Sequence, residues 1–274
     1  MMAVAMSLIG LIDGIAKYGA AHLHGLQVTW IYFVSMLFGL LVALVLYRGQ
    51  IPFALRATQP GLQCLRALCM VGSLSLLFTG LTWLPLAEAT VISFTSPLFM
   101  VALAGPILNE RVTRRHWAAV CTGLVGSLLV IRPGSNLFQW AALLPLAGAV
   151  FFSLFNIVTR QIGASDSVFT TLFYTFTIGA LALCLPLPLI WQTPGISTLL
   201  ALSAAGAMGV VAHLLIARAL QITQLAIVAP LNYVRLIWAL GLGYWWFGDL
   251  PDSLAFVGAI LIVGSGVYAV VSYS

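Results

Sequence analysis

Ten stretches of mainly apolar residues, each close to the length that crosses a bilayer, follow one another with little between them: 3–22, 28–47, 62–81, 85–108, 115–132, 139–158, 169–191, 197–219, 224–247 and 253–272. A helix of about 20 residues spans the hydrocarbon core. Backbone inside lipid must satisfy its own hydrogen bonds, and a helix does so within one segment. The runs therefore predict an all-α polytopic membrane protein with ten transmembrane helices. The composition agrees: 62% of the residues are hydrophobic and 6% charged, against roughly a quarter charged in soluble domains.

The connections are short and carry turn residues, as in Gly49-Gln50-Ile51-Pro52, Arg132-Pro133-Gly134-Ser135, Thr193-Pro194-Gly195 and Asp249-Leu250-Pro251-Asp252. They leave no room for a soluble catalytic module. The first run starts almost at Met1 without a basic leader or cleavage site, which predicts a retained helix rather than a signal peptide. Cys64, Cys69, Cys121 and Cys184 lie within spans, without metal-ligand or disulfide spacing, and are expected to pack. No Ser/His/Asp arrangement, phosphate loop or metal-spaced cluster appears, so neither an enzyme nor a cofactor or metal site is expected.

Basic residues are retained on the cytoplasmic side of a membrane. With the N-terminus inside, Arg48, Arg56, Arg66, Arg111, Arg114, Arg115, Arg160 and Arg218 fall at cytoplasmic helix ends, and Arg132 alone at the outer face. Both termini are then cytoplasmic. The net charge of +5 reports this topology and gives no support to a nucleic-acid partner.

An internal repeat refines the picture. An offset of 139 residues sets Leu86-Ala87 over Leu225-Ala226, Ser93 over Asn232, Phe94 over Tyr233 and Glu110 over Asp249. A slightly different offset sets Asp13 over Asn156 and Lys17 over Arg160. The unit is five helices, with modules at 1–134 and 135–274. Because five is odd, the second module enters the membrane from the opposite side, and the fold is two inverted five-helix repeats. Repeats of this kind can exchange conformations and open a central site to each side in turn.

Residues 65–134 also resemble the EamA-type module of the drug/metabolite transporter superfamily. The resemblance rests on Arg66, the Leu84-Pro85-Leu86-Ala87 entry, Pro97, the Glu110 helix end, the Arg115-His116-Trp117 restart and the Arg132-Pro133-Gly134 exit. The segment APLNYVRLIWALGLGYWWFGDLP is similar to the equivalent part of a second module. The resemblance implies ten helices, two inverted modules and movement of amino acids or other small metabolites, most often outward, in a multi-pass protein of the cell inner membrane for which a monomer suffices. Two positions depart from many relatives: Tyr32 stands where they carry arginine, and Asp249 where they carry glutamate.

Polar or small residues at helical spacing mark the expected path: Gly10, Asp13 and Lys17; Arg66, Ser73 and Gly80; Thr90, Ser93 and Pro97; Ser153, Asn156 and Arg160; Gly206, Gly209 and His213; Asn232, Arg235 and Trp238. Most of the glycines are equally explained by close helix approach. Arg235 and Asp13 are expected at mid-depth, where a charge is costly and marks a pathway or a partner. Two roles are open. Arg235 is locked to Asp13, or it offers its planar fork to a substrate carboxylate. In the second case Asn232 adds a hydrogen bond, Trp238 packs on a side chain, Asp13 holds an ammonium, and Ser93 and His213 complete the binding set. An Asp four residues before a Lys also predicts a local Asp13–Lys17 pair. Glu88 is a candidate coupling acid, Pro97 a candidate hinge, and Glu110 and Asp249 candidate gate contacts.

The expected function is a secondary transporter exporting amino acids, large apolar and aromatic ones included, or similar small metabolites by alternating access. A channel or facilitative pore is the alternative of a different class. An uptake carrier for another metabolite, such as a nucleoside-type compound, is the alternative of the same class.

Overall fold

The computed structural model describes residues 1–46, 56–108, 114–131, 140–163, 165–222, 229–249 and 252–271. Glu110, Leu225-Ala226 and the Arg132-Pro133-Gly134 exit lie outside the described residues. Helices dominate: α1 Met2–Ala20, α2 Gly25–Leu46, α3 Pro60–Gly80, α4 Leu86–Ser93, α5 Ser96–Leu108 and α6 Arg114–Ile131 come first. After a 3-10 turn at Trp140–Ala142 come α7 Leu143–Ile162, α8 Val168–Cys184, α9 Leu187–Ile190 and α10 Ile196–Ile222. A second 3-10 turn at Ala229–Tyr233 then leads into α11 Val234–Phe247, followed by α12 Ser253–Val271.

Among the described residues, six helical stretches are long and apolar enough to cross a membrane: Met2–Ala20, Gly25–Leu46, Pro60–Gly80, Leu86–Leu103, Trp140–Ile162 and Ile196–Ile216. Shorter apolar helices run over Trp117–Ile131, Val168–Cys184 and Ser253–Tyr268. The outward side chains suit lipid, with Leu185, Leu189, Ile196 and Trp245 each more than three-quarters exposed.

Three expected spans are discontinuous, each for a proline-based reason. Pro97 has no N–H for the Ser93 carbonyl, and the chain turns at Phe94-Thr95 between α4 and α5. Pro186 and Pro188 end α8 and leave only the short α9. Pro230 sits in the 3-10 turn that precedes α11. Pro60 is tolerated at the start of α3 because the first N–H groups of a helix have no partner within it.

The most extensive packing joins the two halves of the chain, and the contacts come in pairs that map onto each other when the halves are exchanged. Helix α1 packs on α10 as α7 packs on α3; α2 packs on α10 as α8 packs on α3; α1 packs on α11 as α7 packs on α4 and α5. The matched partners α2 and α8, α4 and α11, and α6 and α12 pack on each other. Glycine permits the close crossings: a Cβ on Gly25 would lie 2.4 Å from the Thr79 Cα. The buried core between the halves contains Phe33, Phe78 and Phe176, all fully enclosed.

One end of the bundle is tied by Gln27, whose Nε2 donates to the Gln192 carbonyl at 2.6 Å while its Oε1 accepts from the Gln192 N–H at 3.0 Å. At the other end the Asp166 carboxylate accepts from the Thr58 N–H and hydroxyl, both at 2.8 Å, and from Gln63 Nε2 at 2.9 Å. These bonds hold the segment before α3 against the turn between α7 and α8.

Candidate functional site

A charged pair joins α1 to α11. Arg235 Nε donates to Asp13 Oδ2. The Asp13 side chain is only 4% exposed, whereas that of Arg235 is 18% exposed. Asp13 is therefore the more deeply covered partner, and the Arg235 side chain retains some exposure. The other guanidinium N–H groups have no acceptor among the described residues, and neither does the half-buried Asn232 carboxamide one turn earlier.

The neighbouring contacts set the height of the pair. A Cβ on Gly10 would lie 2.5 Å from Trp238 Cβ, and one on Gly14 would lie 2.7 Å from Leu242 Cδ1. Both glycines admit α11 side chains, so Gly10 is a packing position and not a polar lining. Gly206 and Gly209 behave alike, since added Cβ atoms would meet Ser35 and the Tyr32 hydroxyl at 2.3 and 2.5 Å. Trp238 is held against α1 and half-buried.

Lys17 does not pair with Asp13. Its Nζ donates to Asp249 Oδ2 at 2.6 Å and to the Leu84 carbonyl at 3.0 Å, and it lies 4.9 Å from the Phe247 ring centroid. With Asp13 turned to Arg235 on α11, the Lys17 amine is left for the acid at the end of the same helix. Gly248 presents that acid. Its left-handed backbone, φ 69°, turns the chain so that the Asp249 N–H returns to the Gly243 carbonyl at 2.9 Å. The result links α1, the α3–α4 connection and the end of α11 at one end of the bundle.

The breaks in α4–α5 and at the start of α11 meet. Phe94 and Tyr233 pack edge to face with centroids 5.1 Å apart. Ser93 and Asn232 immediately precede these rings. The Ser93 hydroxyl donates back to the Ala89 carbonyl at 2.8 Å, so it offers a ligand its lone pairs and no proton. Pro97 stands in the first turn of α5, just past the break.

The remaining expected positions lie elsewhere. Glu88 lines an apolar groove between α4, α6, α11 and α12, with Val91, Val130, Leu236 and Phe256 among its walls, away from Asp13 and Arg235. His213, on α10, packs against Phe176 with ring centroids 6.0 Å apart. It lies within electrostatic reach of Arg66. Arg66 is itself buried, with Nε donating to Thr159 Oγ1 at 2.7 Å and Nη1 to Thr175 Oγ1 at 2.5 Å, and with the Phe155 ring 4.3 Å from its central carbon. Sequence reading finds Arg66 but misses its companions.

An all-helical bundle with several long apolar helices, and with contacts that match when its halves are exchanged, has the build of a polytopic membrane protein. The chain belongs to the EamA-like transporter family, whose model matches residues 1–132 and again residues 139–271. It is 28% identical over 262 residues, covering 95% of this chain and 87% of the relative, to the S-adenosylmethionine uptake transporter of Rickettsia prowazekii. It is 29% identical to the riboflavin transporter of Vibrio cholerae, covering 92% and 86%. It is 24% identical to the pseudopaline exporter CntI of Pseudomonas aeruginosa, covering 92% and 88%. A solved crystal structure shares the fold with a TM-score of 0.66 at 20% identity, covering 97% of this chain and 94% of that one. The family and the relatives are transporters rather than enzymes.

Proposed function

We propose that the chain is a secondary transporter of the inner membrane that carries small carboxylate-bearing metabolites, amino acids among them, by alternating access. The observation that carries this reading is Arg235, bonded through Nε to Asp13 with its other N–H groups left without an acceptor among the described residues. Asp13 supports it as a positioning residue: it fixes the guanidinium plane from behind and is too covered to receive an ammonium itself. A fork held in this way receives a planar carboxylate on two parallel N–H groups. Asn232 supplies a further polar group at the same level, and Trp238 an apolar wall. Ser93 offers an acceptor.

Alternating access follows from the modules at 1–134 and 135–274 acting as inverted repeats in a ten-helix monomer with both termini cytoplasmic. The Lys17–Asp249 pair, with its tie to Leu84, is the outer gate in its closed state. Pro97 marks the hinge. Glu88, the candidate coupling acid, borders the lateral groove, and Asp13 is bonded to Arg235, which supports a mode without a proton relay beside the fork. Facilitated movement down the substrate gradient is the simplest consistent mode.

The relatives include named uptake and export proteins, which supports a direction set by the gradient. The S-adenosylmethionine uptake relatives support one second reading, uptake of an amino acid joined to a nucleoside. The test is transport into proteoliposomes with amino acids trapped inside. Saturable counter-exchange is expected, with Arg235→Lys losing most of it and Arg235→Ala with Asp13→Ala folding without transporting. Normal transport by that double variant, or linear flux without counter-exchange, overturns the reading.

A further inference from the structure

The geometry points to a second anion-binding site, built around Arg66 in the half of the bundle near the Thr58–Asp166 end, that takes the substrate's carboxylate on its way to or from the mid-depth fork. It rests on the reading of the protein as a carrier of carboxylate-bearing metabolites, and it adds a separate stop to that path.

Arg66 is 6% exposed and has no acidic partner among the described residues. Its two hydrogen bonds go to hydroxyls that carry no charge. Each hydroxyl is also committed: Thr159 donates to the Phe155 carbonyl at 2.6 Å, and Thr175 to the Thr171 carbonyl at 2.8 Å. Of the five N–H groups of a guanidinium, three are therefore left, two of them on Nη2. Phe155 covers one face of the plane.

Such an arrangement orients a cation without neutralising it. Pinning α3, α7 and α8 together would not require a charge, because a neutral donor could bridge the same hydroxyls. A fixed, unneutralised fork suits an oxyanion, and the planar carboxylate matches it bidentately. The groups around it come from three further helices, with Thr159 and Phe155 on α7, Thr175 on α8 and His213 on α10, and none is acidic. In the observed conformation the site is nearly enclosed, so an anion reaches it when the ends of α3 and α7 move apart.

The test uses the whole protein in nanodiscs of uncharged lipid, with thermal unfolding followed as acetate replaces chloride at constant ionic strength. Acetate is expected to raise the melting temperature saturably. Arg66→Lys keeps the charge and loses the fork, and should raise the half-saturating acetate concentration about tenfold or more. Thr159→Val with Thr175→Val keeps the arginine but releases its orientation. It should weaken the response in the same direction and carries the test if Arg66→Lys does not fold. Inorganic phosphate is the second arm. A response to phosphate without one to acetate overturns the carboxylate assignment, as does an acetate response unchanged in all of these variants or absent from the wild type.

Arg235→Lys separates the two sites, since it should abolish counter-exchange while leaving the acetate response in place. Loss of the response in Arg235→Lys assigns it to the mid-depth fork and overturns the second site. An acetate response in a protein that exchanges no amino acid refutes the transport reading and leaves the Arg66 site standing.

Discussion

Phe94 and Tyr233 touch, edge to face at 5.1 Å, and they are the residues that the 139-residue offset places at the same position in the two halves. A residue that contacts its own repeat counterpart lies on the axis relating the halves. Each also marks the break in its helix, so the two discontinuities meet there. The contact is expected to couple the halves. Phe94→Ala and Tyr233→Ala should destabilise non-additively, with an interaction of about 0.5–1.5 kcal/mol beyond the lost area. A double-mutant cycle by unfolding in detergent measures it, and additive losses would remove the pivot.

The Lys17–Asp249 pair should set how often one end of the bundle opens. An ion pair of this exposure contributes about 0.2–1 kcal/mol, so Lys17→Ala or Asp249→Ala should raise the open population by up to about fivefold. Cysteine labelling at a position along α11, applied from outside sealed vesicles, reads that population. The exchanged pair Lys17→Asp with Asp249→Lys should return it toward the wild-type level.

Asp13 and Arg235 should behave as a unit in stability. Asp13→Ala leaves the guanidinium largely buried without its acid, and a loss of about 3–5 kcal/mol is expected. Arg235→Met with Asp13→Leu should recover most of it, because neither charge then remains to be desolvated. A melting temperature for Asp13→Ala equal to that of the wild type would show that the pair does not hold α1 to α11.

Asp166, outside the spans, supplies a pH dependence. Its slight burial raises the pKa, and the bonds from the Thr58 N–H, Gln63 and the Thr58 hydroxyl outweigh that and hold the carboxyl below its usual value. A depressed folded pKa means stability that is complete above the unfolded carboxylate value and is lost as pH falls through the folded one. Thermal unfolding of the wild type should therefore weaken on acidification below about pH 4. Asp166→Asn should be less stable at neutral pH and lose part of that slope.

The apolar runs made the helical membrane fold legible, because length and hydropathy act locally and lipid admits few alternatives. The break at Pro97 was open to reading, since a missing N–H is a property of one residue, whereas the end of α8 before Pro186 went unread inside the expected 169–191 span. Pairing was legible only in part. The Asp13–Arg235 lock stood among the readings, but spacing of four placed Lys17 on the Asp13 face, whereas Lys17 pairs with Asp249 just beyond α11, 232 residues away. Gly10 read as part of a polar stripe and serves as a socket for Trp238, because a glycine carries no mark of which neighbour approaches it. Arg66 was visible as a charge, but Thr159 and Thr175 become its partners only once α7 and α8 are folded against α3.

Helices α6 and α12 cross so closely that a Cβ on Gly126 would lie 2.8 Å from the Gly258 carbonyl oxygen, and one on Gly258 would lie 2.6 Å from that of Gly126. These glycines are not counterparts, since the offset sets Gly126 over Ser265 and Ala119 over Gly258. The two halves therefore each supply a gap at a different height along this seam. A gene built from two copies of the first half would place the side chain of Ala119 where the crossing admits none. A single module repeated twice would therefore not close this seam, and a side chain at either Gly126 or Gly258 would be expected to part the two helices.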